Sequence, residues 1–117
     1  MPLIQLETSF SFPDQNRKQA ITKMLSQITA EGTGKPEQYV MACIHENVAM
    51  TLSGAAGPCA LVTIKAIGGL SKSVNNALAG KISQLLQREL NIPPNRVYIT
   101  FEELSPAHWA WEGKTFG

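Results

Sequence analysis

Cysteine is scarce: the 117-residue chain carries only Cys43 and Cys59. Two thiols cannot make a disulfide framework and suit a reducing compartment, so both read as packing residues. Excess charge of either sign is lacking as well, since ten basic residues stand against nine acidic for a net charge of +1. With no basic block and no interleaving of aromatic with basic residues, nucleic acid is not an expected partner. Long apolar runs are absent too. The longest, such as ALV and YVMACI, fall far short of the ~20 residues that span a bilayer, and the N-terminus lacks a basic region followed by an apolar core. The expectation is a soluble, unprocessed, cytoplasmic chain with no membrane partner, no cofactor and no metal.

What is present has a clear period. A chain of this length is expected to form one domain over residues 1–117 and to bury about two-thirds of its unfolded surface. Between Asp14 and Glu31, Ile21, Met24, Leu25 and Ile28 form one stripe of an amphipathic helix, entered at SFPD and stopped by Gly32 and Gly34. Between Ser71 and Leu90, Val74, Leu78, Ile82 and Leu85 form a second stripe, entered through GGLS and left at NIPP. Around the helices lie four runs of strand character: PLIQLET, QYVMACIHE, CALVTIKAI and RVYITFEE.

The order strand, helix, strand occurs twice, and prolines mark both copies. Pro2 and Pro58 open strands 56 positions apart, while Pro36 and Pro94 precede strands 58 apart. Near-equal offsets point to two β-α-β repeats. Right-handed crossovers in both put two helices on one face of a four-stranded mixed sheet, an α/β (α+β) architecture. Period two sends Val97, Ile99 and Phe101 toward the helices and Tyr98, Thr100 and Glu102 to the uncovered face. The second strand is apolar on both sides, and no third helix exists to cover it. A homo-oligomer is the economical cover.

Pro2 stands directly after the initiator methionine, at the head of the first strand. As an edge or first-position proline it merely lacks a donor that the ladder does not need. Removal of Met1, usual before a small residue, instead leaves a secondary amine fixed to a sheet. Taken with GKPEQYV after the first helix, SGAAGPCAL, IGGL, NRVYI and the ending WEGKTFG, this N-terminus resembles the macrophage migration inhibitory factor family of tautomerases. The resemblance runs from end to end. It implies a homotrimer of β-α-β repeats with active sites between subunits and the N-terminal proline as acid-base catalyst.

The chemistry so implied is sound. Keto-enol exchange in an aryl α-keto acid such as phenylpyruvate, or in dopachrome, needs one group that removes a proton and returns it to a neighbouring atom. A base that is neutral near pH 7 does this best, and an α-amine lies closer to that condition than a lysine. By resemblance, Lys35 binds the substrate carboxylate and the backbone N–H of Ile67 contacts it. Leu3, Tyr39, Trp109, Trp111 and Phe116 are expected to form the slot for the aryl group, although Trp109 stands where many relatives carry a smaller residue. Tyr98 is expected to line the site from a neighbouring subunit. Thr100 occupies a position where mammalian members carry asparagine, which reduces any advantage of hydroxyphenyl substrates. His45 and His108 match no role.

Two other functions fit such a resemblance. One is a cytokine-like ligand of an animal cell-surface receptor, secreted without a signal peptide, with the tautomerase site vestigial. The other is a thiol-disulfide oxidoreductase, which requires C-x-x-C; here the stretch is CALV, and Val62 stands in the place of the second thiol.

Overall fold

The computed structural model describes all of residues 1–117. Strand β1 (Pro2–Thr8) leads through an Asp14-capped turn into helix α1 (Gln15–Thr33), and the chain returns as β2 (Met41–His45). The second copy runs β3 (Ala60–Ala66), α2 (Lys72–Leu90) and β4 (Val97–Glu103), followed by a small hairpin of β5 (Ala110–Trp111) and β6 (Lys114–Thr115). The main sheet has the order β2-β1-β3-β4, parallel at each outer pair and antiparallel between β1 and β3. Each parallel pair is therefore the two strands of one β-α-β repeat, and the antiparallel seam joins the repeats.

Period two decides what lies beneath the helices. In β1 and β3 the alternate residues Ile4, Leu6, Val62 and Ile64 are fully buried. They meet Ile21 and Leu25 of α1 and Leu78, Ile82, Leu85 and Leu86 of α2 in a core cluster of fourteen buried residues drawn from both repeats. Val97, Ile99 and Phe101 pack against this cluster, whereas Tyr98 stays 64% exposed on the opposite face. Burying this many aliphatic side chains, each worth about 1.5–3 kcal/mol, makes the core shared by the two repeats a main source of stability.

The helix ends follow local chemistry. Asp14 and Ser71 accept backbone N–H bonds from Arg17 and Val74, satisfying donors that the first turn leaves free. Gly34 and Asn91 close the helices in the left-handed conformation. Each return strand begins with a short 3-10 turn, Glu37–Tyr39 in the first copy and Pro94–Arg96 in the second. Because of the first turn, the second strand starts at Met41 rather than at Gln38. The prolines that correspond are Pro36 and Pro93, each directly before its turn with near-identical dihedrals, rather than Pro36 and Pro94.

Candidate functional site

Everything at the site depends on how β1 begins. Pro2 sits at the first strand position, opposite Ala66 of β3, and is buried. In the chain with Met1 attached, the Pro2 nitrogen is an amide and the free amine belongs to Met1. That amine titrates below its ordinary value, first because burial penalises the charged form and second because Lys35 lies near enough to repel it.

Lys35 is brought there by the end of α1. Gly34 turns the chain at φ +69° with its N–H on the Ala30 carbonyl, and Lys35 follows with its own N–H on the same oxygen at 3.2 Å. The lysine side chain then reaches across to the loop after β3, where Nζ donates to the Ile67 carbonyl at 3.4 Å. Gly69 makes room for it: a Cβ there would lie 3.0 Å from Lys35 Cε, at a φ of +84° that side chains rarely adopt. Ile67 thus stands beside Lys35, joined through its carbonyl.

Beside the N-terminus opens a cleft of about 650 Å³, lined by Met1, Pro2, Leu3, Gln38, Tyr39, Val40, Met41, Trp109, Ala110 and Trp111. Tyr39 meets Trp111 edge to face, with ring centroids 6.4 Å apart and planes at 86°. Trp111 lies in the C-terminal hairpin and Trp109 directly before it; the hairpin's two-residue turn has Glu112 at φ 52° and Gly113 at φ 78°. Two positive φ values in succession are what a tight right-twisted hairpin requires, and the Glu-Gly pair in WEGK is the signal that could have located it in the sequence. A shallower depression of about 500 Å³ surrounds Lys35, between Gln27, Glu31 and Glu37. The charged and apolar parts of the site are therefore adjacent rather than superposed.

The fold thus brings together Pro2, Leu3, Tyr39, Trp109 and Trp111, with Lys35 and Ile67 beside the amine. It does not bring Tyr98 or Thr100 to them, and it ties Phe116 to the Trp109 backbone without placing it in the cleft lining. Tyr98 pairs across β3 with Leu61, which lies opposite Glu7 at the far end of β1. Five residues along a strand and two strand spacings across place it roughly 19 Å from Pro2 of its own chain. Thr100 aligns with Thr63 and Gln5 on the same uncovered face. Phe116 is 40% exposed and lies outside the cleft, its N–H shared between the Pro106 and Trp109 carbonyls at 3.1 Å. Gln38, Val40 and Met41 line the cleft without having been singled out in the sequence. Met41 is placed there by parallel pairing with Leu3, a contact that no local pattern encodes.

His108 and Cys59, which the site does not use, are engaged elsewhere. Ser105 and His108 contact one another at 3.2 Å on the surface of the turn before the hairpin. Cys59 is buried under the Arg96 guanidinium, which also binds the Pro58 and Ala55 carbonyls at 2.7 and 2.9 Å. No helix is long and apolar enough to cross a membrane.

The comparisons with known proteins agree with one another. The family description that matches is "Macrophage migration inhibitory factor (MIF)", over residues 1–117. The macrophage migration inhibitory factor homolog of Brugia malayi is 38% identical over 117 residues, covering 100% of both chains. The macrophage migration inhibitory factor of Meriones unguiculatus is 32% identical over 116 residues, 99% of each. Among solved structures, the homologue from Prochlorococcus marinus superposes with a TM-score of 0.92 at 35% identity, covering 98% of this chain and 99% of that one. The protein from Toxoplasma gondii gives 0.90 at 31%, covering 97% and 99%. A match over the whole chain, in sequence and in fold, means that this protein belongs to the macrophage migration inhibitory factor family.

Proposed function

We propose that the chain, once Met1 is removed, is a homotrimeric keto-enol tautomerase of phenylpyruvate-type aryl α-keto acids, with Pro2 as the acid-base group. The observation that carries this reading is the setting of the chain's amino end at the mouth of an apolar, aromatic-walled cleft: burial and Lys35 both hold the Met1 amine below its ordinary pKa, and Pro2 lies buried one residue further in. Family membership adds support, since the family resemblance implies tautomerase chemistry.

The steps follow from that setting. The enol form enters with its aryl group among Tyr39, Trp109 and Trp111 and its carboxylate toward Lys35. The neutral Pro2 nitrogen accepts the enol O–H proton as the C=O bond forms, and the resulting ammonium returns a proton to the benzylic carbon. Reversal gives enol from keto acid, and no electron leaves the substrate. A base whose conjugate acid is easily deprotonated near neutral pH serves both directions. Lys35 stabilises the carboxylate in every state along the path, so it contributes mainly to binding. Dopachrome, whose carboxylate and ring system present a similar outline, is the second substrate of this proposal.

One experiment decides between Pro2 and any other base. Intact mass and a phenylpyruvate assay are taken on the same preparation. Material lacking Met1 is expected to turn over, whereas retained Met1, or an alanine inserted before Pro2, abolishes activity by making the nitrogen an amide. Undiminished turnover with a blocked nitrogen removes Pro2 from the mechanism.

A further inference from the structure

Trp109 is the one large aromatic wall of the cleft that no other ring of its own chain engages. Its neighbour Trp111 is engaged edge to face by Tyr39, and the only other aromatic pair is Phe10 with Phe12. Trp109 joins neither pair, is half-buried, and lines the cleft beside Pro2 and Leu3. Its backbone is fixed on both sides: the N–H donates to the Pro106 carbonyl at 3.4 Å, and its own carbonyl accepts the Phe116 N–H at 3.1 Å. Extended dihedrals of −136° and 128° put Trp109 and Trp111 on one side of the segment. The indole is thus held by a fixed backbone, with a π-face unused by any other ring.

Within one chain the cleft also has no charged side chain in its lining, and its volume of about 650 Å³, before a neighbouring copy's Tyr98 is added, exceeds what one phenyl ring fills. Clefts of roughly 300–1,000 Å³ take ligands of several rings. From the unpaired indole and the apolar lining, we infer that Trp109 is a specificity-determining wall that favours fused or extended apolar aryl groups on the α-keto acid over a single phenyl ring. A fused bicyclic group overlaps both rings of the indole in an offset stack, where a phenyl group overlaps one. The added overlap is expected to be worth roughly tenfold. This inference rests on the tautomerase reading for its substrate and on the cleft geometry for its selectivity.

The test compares 3-(2-naphthyl)pyruvate with phenylpyruvate on chain lacking Met1, together with binding of the unreactive 3-(2-naphthyl)propanoate followed by tryptophan emission. In Trp109→Val, the naphthyl-to-phenyl ratio of kcat/KM is expected to fall about tenfold, with naphthylpropanoate binding weakened in parallel and Trp111 remaining as reporter. Trp109→Phe, which keeps a smaller ring, is expected to lose only part of the ratio and serves if the valine variant does not fold. No turnover of either keto acid, with naphthylpropanoate binding still dependent on Trp109, overturns the tautomerase reading and upholds the wall. An unchanged ratio and unchanged binding in a folded variant overturn the wall.

Discussion

At the N-terminus two effects push one equilibrium the same way: burial and the Lys35 charge both disfavour the protonated amine. They are expected to act on Pro2 after Met1 is lost, because that residue lies further into the buried strand. Removing the lysine takes away cation-cation repulsion, so Lys35→Ala raises the amine pKa. NMR titration of the Met1 amine should record that rise directly. In the processed enzyme, the acid limb of kcat/KM should move to higher pH, with KM raised more than kcat is lowered, because the carboxylate contact proposed for Lys35 would be made before and during reaction alike. An amine that titrates unchanged in the variant counts against the coupling, and an unaltered KM counts against the binding role. None of this was legible in Lys35 as a residue, since a lysine in a turn is ordinarily solvated. It became legible only through the company of GKP and IGGL, whose positive-φ glycine at position 69 makes the space for the side chain.

Whole elements were far more readable than their junctions. The two stripes give helices of nineteen residues each, and alternation in RVYITFE assigns both faces of β4 correctly, because burial against one partner layer imposes a simple period. The 3-10 turns and the C-terminal hairpin escaped the periodic signals, being set by a few dihedrals rather than by a repeating face. The repeats also diverge where it matters: Ile92, fully buried after the Asn91 cap, takes the place that Lys35 holds after the Gly34 cap. The second copy therefore keeps the fold without the cation. Where the helices touch, Gly32 faces Leu78, and an added Cβ would overlap the leucine Cδ2 and lie 2.7 Å from its Cγ. Gly32→Ala should cost about 1–3 kcal/mol from overpacking, less the ~1 kcal/mol that alanine gains in a helix. A Tm above that of the parent chain is the outcome that contradicts this close approach. Glu46 ties the loop before α1 to the end of β2 by accepting from Phe12 N–H at 2.7 Å and Lys18 Nζ at 3.1 Å. These bonds, the Phe12 one foremost, hold its carboxyl below the usual 4.5. A lowered folded pKa stabilises above the unfolded value and is lost as pH falls through the folded one. Glu46→Gln should therefore reduce stability at pH 7 and flatten the loss between pH 4.5 and lower values, as urea midpoints across pH can show.

For the whole molecule the open question is what covers the sheet face that the helices leave bare. That face is mixed in character: the row Met41, Leu3, Lys65 and Glu102 passes from apolar to charged groups, with Lys65 and Glu102 3.7 Å apart. Met41 is 67% exposed and Tyr98 64%, at the two outer strands. The separation of Tyr98 from Pro2 within one chain, roughly 19 Å, means that a site using both must draw them from different copies. In the proposed trimer, a closed ring of three heterologous contacts would yield three equivalent sites, each with Pro2 from one chain and Tyr98 from its neighbour. Complementation tests this. A chain blocked by an alanine before Pro2 and a chain carrying Tyr98→Arg should each be nearly inactive alone. Co-refolded in equal amounts, each pocket draws its two donors independently, so about one quarter of pockets should hold both intact groups and activity should return to that order. Mixed trimers verified by native mass spectrometry that stay as inactive as the separate variants would remove Tyr98 from the pocket of Pro2. A chain that proves monomeric at assay concentration while fully active would remove the shared site altogether.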